Sequence, residues 1–234
     1  MALPKLATAK YELTLPSTGQ KVEFRPFLVK EEKMLMLAQQ EGSQQSLIRA
    51  VQDLIDACTF GKLDSKKLPT FDIEYVFLQI RCKSIGETTA VTVICPDDEE
   101  TKVKVDVNLS EVQCIKDKDH TNNIKISDDV GIVFDYPEIS KVVKITDGKN
   151  DAVATFNVIK SCVNQIYDAE NVYTKNDMEE KELDDFIESM SHEQFVKVQS
   201  FFETMPKVKH KITVKNPKTE VESDLTLEGL QDFF

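Results

Sequence analysis

Three histidines, five cysteines and one run of four acids are the side chains in this sequence whose types could do chemistry. A Ser-His-acid site would have to use His120, His192 or His210. His192 falls in the first turn of a capped helix, His210 at the start of a strand and His120 in a polar loop. No serine has the glycine spacing of a nucleophile elbow, so all three histidines read as structural or surface residues. The seven glycines never fall into a GxGxxG or P-loop spacing. The tip Asp97-Asp98-Glu99-Glu100 lacks the alternating oxygen ligands and central glycine of a calcium loop and reads as a solvated turn.

Zinc is the metal the sequence comes nearest to. A zinc-ribbon knuckle puts two cysteines at a hairpin turn, and Cys95-Pro96 occupies such a turn. Asp98 stands where the second cysteine would be, and a second, similar turn carries Asn216 in place of Cys95. Cys114 and His120 would complete three ligands only if the loop between them folded back. The two turns therefore read as hairpins that have lost any metal, and no catalytic, cofactor or metal residue is assigned.

The remaining composition narrows the function class. A formal charge of −12 and a pI near 4.8 set the field against nucleic acid, and no Lys/Arg run exceeds a pair. Cys58, Cys82, Cys95, Cys114 and Cys162 are odd in number and never paired as CxxC, the pattern of reduced thiols used as small apolar residues. The first residues have no apolar signal core and no segment is long and apolar enough for a bilayer. A cytoplasmic protein without membrane partners is expected.

The elements follow from periodicity. Tyr11 to Leu15 and Lys21 to Arg25 alternate around Pro16-Ser17-Thr18-Gly19, an antiparallel hairpin that Pro26 stops. Helices are predicted from about Lys30 to Gln40, through Leu47, Val51, Leu54 and Cys58, and from Thr70 through Ile73, Val76, Phe77 and Ile80. A hairpin over 88–109 follows. The region 115–123 reads as a loop, and Ile124 to Ile126 and Gly131 to Phe134 as short strands. Ala152, Phe156, Ile159, Val163 and Ile166 predict one long helix, and Leu183, Phe186, Ile187 and Met190 a shorter one. Ser191-His192-Glu193-Gln194 is a capping box opening a third. A second hairpin over 209–227 closes the chain.

The two hairpins match by residue. Val91-Thr92-Val93-Ile94-Cys95-Pro96 answers Ile212-Thr213-Val214-Lys215-Asn216-Pro217, and the return arm from Asp106 answers that from Asp224, pairing Val107 with Leu225 and Leu109 with Leu227. Three helices and then a hairpin occur twice, so the fold expected is α+β, with helices packed on small antiparallel hairpins and two pseudo-repeated halves, 1–114 and 115–234. Each hairpin is expected to pack on the helix preceding it.

Three further segments carry a resemblance. Gly19-Gln20-Lys21-Val22-Glu23-Phe24-Arg25-Pro26-Phe27-Leu28-Val29-Lys30-Glu31-Glu32-Lys33 runs a strand through Arg-Pro-Phe into a helix. Phe77-Leu78-Gln79-Ile80-Arg81-Cys82-Lys83-Ser84-Ile85-Gly86-Glu87 joins a helix to its hairpin, and Leu227-Glu228-Gly229-Leu230-Gln231-Asp232-Phe233-Phe234 closes the chain. Their order and spacing resemble the baseplate hub family of T-even-like contractile-tailed bacteriophages. The resemblance implies a non-enzymatic structural or assembly protein acting beside other hub components and the tape-measure protein, in the host cytoplasm during assembly and in the virion tail baseplate. It supplies no site residues. Alternatives are a dedicated chaperone of a tail or tape-measure protein, absent from the mature particle, and a hydrolase with an unrecognised site. From the residues themselves, the candidate partner contacts are Phe233, Phe234, Arg25, Phe27 and Arg81, because aromatic and Arg side chains dominate binding energy at interfaces.

Overall fold

A computed structural model describes residues 6–146, 151–229 and 232. Phe233 and Phe234 lie outside the described residues. The chain divides into two compact units, residues 1–115 with 207–234, and residues 116–206. The first boundary falls one residue from the expected 114, but the final hairpin belongs with the first unit.

In the first unit, β1 (Tyr11–Thr14) and β2 (Lys21–Phe24) form the opening hairpin, followed by α1 (Val29–Glu41), α2 (Gln44–Cys58) and α3 (Thr70–Ser84). α2 starts where Ser43 accepts the Ser46 N–H and buries Val51, Leu54, Ile55 and Cys58. Pro69 takes the N-cap position of α3, without a side-chain capping bond. Then come β3 (Thr88–Ile94), β4 (Lys102–Asn108) and β5 (Gln113–Ile115). After the second unit, the chain returns as β10 (Lys207–Lys215) and β11 (Glu222–Glu228), in a sheet of order β11-β10-β5. One core joins these pieces: Leu78 and Cys82 of α3, Val91 and Val107 of the first hairpin, and Val208, Ile212 and Leu227 of the second.

Three turns in this unit share one geometry. In each, a proline follows the first residue, whose carbonyl accepts an N–H from four residues on: Gly19 to Leu15, Glu99 to Cys95, Glu220 to Asn216. The donor sits in the left-handed region, with φ of 71°, 55° and 61°. Glycine takes that conformation without strain and glutamate does not. The hairpin match is thus real in local geometry, but the register corrects its return arm by two residues. Val107 pairs with Thr89 and Leu227 with His210, so Val107 answers Leu227, not Leu225. A slip of two keeps every side chain on its face, and so alternation alone does not detect it.

The second unit holds β6 (Asn123–Lys125), β7 (Gly131–Phe134), α4 (Ile139–Thr146), α5 (Asp151–Cys162), β8 (Val163–Tyr167), β9 (Val172–Thr174), α6 (Glu180–Glu188) and α7 (His192–Thr204). Its sheet has the order β6-β7-β8-β9 and packs Ile132, Phe134 and Ile166 with Ile159, Ile187, Val198 and Phe201. The expected long helix stops at Cys162. Val163 to Tyr167 instead pair with Phe134 to Gly131, because a β-branched segment gains more by joining a sheet than by extending a helix. Strands between helices have no counterpart in the first unit, so the two pseudo-repeated halves are not seen and the repetition is confined to the hairpins. The helix beneath the second hairpin is α3, which also carries the first. Mixed α+β architecture is what the chain adopts.

Candidate partner-contact surface

The Arg-Pro-Phe segment forms the corner between β2 and α1. Arg25 is 9% exposed; its Nη2 donates to Glu31 Oε1 at 2.9 Å and its Nη1 to the Pro26 carbonyl at 2.9 Å. Glu31 Oε2 accepts the Leu28 N–H at 2.8 Å, the capping contact that a Leu at the helix start would otherwise lack. Burial pushes the Glu31 carboxyl up, but Arg25, the Leu28 N–H and Lys30 together outweigh it and hold it below its ordinary 4.5. Arg25 N–H also donates to the Cys58 carbonyl at the end of α2. Arg25 is therefore a corner brace.

Phe27 is half-buried. Its N–H donates to Ser84 Oγ at 2.9 Å, and Ser84 Oγ donates to the Ile80 carbonyl at 2.6 Å, which ties the corner to the end of α3. Arg81, also half-buried, donates from Nη2 to Thr89 Oγ1 at 2.9 Å. Lys83 pairs with Glu87 and lies over the Tyr11 ring. The side chains that follow the bonded pair point outward: Leu28 is 40% exposed, Val29 79% and Ile85 63%, and Met36 and Leu37 of α1 are also exposed. Arg25 and Phe27 thus share one corner, with Arg81 in the last turn of α3, whose Ser84 holds Phe27, but the apolar surface there comes from neighbours that the sequence reading passed over. The signal was available: three consecutive apolar residues, Phe27 to Val29, exceed what one buried helix face takes up.

The knuckle turns meet at a second polar point. Both Asp97 carboxylate oxygens lie 3.0 Å from Asn216 Nδ2 and accept from it, and Oδ2 also accepts from Thr219 Oγ1. Cys95 and Asn216 are each 1% exposed. Hydrogen bonds thus join the two tips. Among the described residues no three His, Cys, Asp or Glu side chains gather as a metal requires. Burial pushes the thiols up, Cys58 and Cys162 to about 11 and Cys114 to about 12, away from the thiolate a nucleophile needs.

His120 is the residue whose burial the loop reading missed. Its Nδ1 is 2.9 Å from Thr204 Oγ1, which itself donates to the Ser200 carbonyl, so Nδ1 carries the proton and Nε2, at 3.0 Å, accepts from Tyr136. Its ring lies against Tyr136 and Phe201. Burial, with Lys116 adding and Asp117 opposing, lowers its pKa from 6.5. With both nitrogens engaged, it is a structural histidine.

Comparison with known proteins places this arrangement. The family profile described as T4 bacteriophage base plate protein matches residues 8–234. The baseplate hub assembly protein gp26 of Enterobacteria phage T4 is 24% identical over 228 residues, covering 96% of this chain and 98% of that protein. No solved structure matches.

Proposed function

Since the chain belongs to the T4 bacteriophage base plate protein family, we propose that it works in assembling a phage baseplate hub, through protein contact and without catalysis. The observation that carries this reading is the length of the match, which takes in both units and nearly all of a hub assembly protein. Its partners on this reading are other hub components and the tape-measure protein, met in the host cytoplasm. No helix among the described residues is long and apolar enough to cross a membrane.

The contact surface proposed is the corner where Leu28, Val29 and Ile85 are exposed, braced by Arg25, Phe27 and Arg81. Phe233 and Phe234, outside the described residues, are proposed as further anchors. Apolar side chains held on a rigid corner lose little entropy on binding. The variant Val29→Glu/Ile85→Glu leaves the brace intact, so its helical content should be unchanged by circular dichroism. In phage lacking the wild-type gene, it should fail to support tail formation and to co-purify hub proteins. Normal tails would overturn the corner as the contact surface. The T4 relative is named for assembly, which favours a second reading in which the protein is a chaperone that leaves the finished particle; mass spectrometry of purified virions separates the two.

A further inference from the structure

A groove of about 380 Å³ opens in the second unit between the β8–β9 hairpin and α6. Its apolar walls are Ile166, Tyr167, Tyr173, Met178, Leu183 and Phe186. That volume is at the small end of what proteins use to seat a ligand, roughly 300–1,000 Å³, and suits one or two large apolar side chains.

The rim is acidic. Asp168, Asp177 and Glu182 line the groove, and each is held in place by local donors. Asp168 accepts the Glu170 and Asn171 N–H groups at 2.8 Å, Asp177 the Thr174 N–H at 2.9 Å and hydroxyl at 2.6 Å, and Glu182 the Glu179 N–H at 3.0 Å. The ion pairs of the region join Lys160 to Asp184 and Lys175 to Asp135, and among the described residues no cation pairs with these three carboxylates. Residues 168–188 hold nine acids and two lysines, a formal −7 of the chain's −12. Hydrogen-bond donors fix the carboxylates in position but leave their charge to act outward, where it attracts cations and repels acidic chains.

We infer that this groove receives a basic segment of a partner protein, with an aromatic or aliphatic anchor between β8–β9 and α6 and flanking Lys or Arg side chains on the Asp168, Asp177 and Glu182 rim. An apolar groove of this size without such a rim would accept any anchor; the charge selects a basic one. The surface is distinct from the corner of the first unit, and the inference does not depend on it.

The test uses the full chain and a fluorescein-labelled peptide of about ten residues alternating Lys with Leu and Phe. Binding should weaken as salt rises and should shift the methyl resonances of Met178 and Leu183. The Asp168→Asn/Asp177→Asn/Glu182→Gln variant keeps an oxygen acceptor at every cap but removes the charge, and should bind about tenfold more weakly with its melting temperature near that of the wild type. A matched peptide with Glu for Lys, or one with Ala for Leu and Phe, should bind far more weakly. Equal affinity for the charge-neutral variant or for the alanine peptide would overturn the inference, as would binding that leaves Met178 and Leu183 unshifted, or no binding at all. If the same variant instead abolishes self-association in sedimentation, the groove belongs to a second copy and the inference also fails.

Discussion

Two polar contacts of the first unit carry charge, the buried one of Arg25 on Glu31 and the part-buried one of Asn216 on Asp97, whereas in the second the buried His120 is neutral between Tyr136 and Thr204. The charged contacts sit at corners and turns, where chain direction changes and a hydrogen-bonded pair fixes geometry that apolar packing leaves loose. The neutral one lies inside an aromatic stack with Phe201, where a full charge would be opposed by desolvation. Position thus decides which kind of polar contact is made at each of these points, and the two kinds should fail under different conditions.

The largest expected effect breaks the charged side. Glu31→Ala leaves the Arg25 guanidinium buried without its carboxylate, and should destabilise the first unit by about 3 kcal/mol in denaturant unfolding. A loss under half of that would mean that water or the Pro26 carbonyl satisfies Arg25 unaided.

Next is the second unit's sheet. A Cβ on Gly131 would lie 2.2 Å from the Tyr167 hydroxyl oxygen, across the β7–β8 pair. Gly131→Ala must therefore push Tyr167 off, breaking its bond to Asn123 Oδ1, and should destabilise by about 2 kcal/mol. Tyr167→Ala placed beside it should remove most of the penalty, which double-mutant unfolding would measure.

Smaller is the effect at the paired tips. Asn216→Ala removes the amide that reaches Asp97 and the Oδ1 that accepts the Lys218 N–H, and should destabilise by about 1–2 kcal/mol. Addition of zinc or chelator should leave both proteins' melting temperatures unchanged, since hydrogen bonds join the tips and neither turn keeps a cysteine pair.

The smallest effect separates the units by pH. His120 has a folded pKa below its ordinary 6.5, so its contribution is complete above about that pH and declines as pH falls toward the lower folded value. Glu31, lowered from 4.5, contributes above that value, and its share is lost only as pH falls below it. Stability followed from pH 7 downward should thus fall first through the second unit, and His120→Gln should flatten that first decline. An unchanged slope just below pH 6.5 in the variant would assign the decline to other groups.

Much of this was readable from residues alone. The hairpin turns, the amphipathic α2, the capping box at Ser191 and the Arg-Pro-Phe corner are all local patterns, and each gave its element. What escaped depended on partners distant in sequence. Val163 and Ile166 fit a helical stripe as well as a strand, and only pairing with Phe134 and Ile132 decides between them. His120 looks solvated until Thr204, 84 residues away, is brought to it. The acids around α6 went unremarked, and the groove they rim exists only once β9 folds back.

The order of the strands in one sheet has a further consequence. β5 and β10 are neighbours, with Ile115 opposite Lys207, so the chain leaves the first unit and comes back to it at adjacent strands. On the ribosome, residues 116–206 are all available before Val208, Ile212 and Leu227 emerge to complete the core around Leu78 and Val91. The unit that begins first is therefore the last to close, and until it does the apolar faces of α3 and of the β3–β4 hairpin stay uncovered. A nascent chain whose residue 206 has just cleared the exit tunnel would present those faces to chaperones, with the whole sequence of the middle unit free to fold.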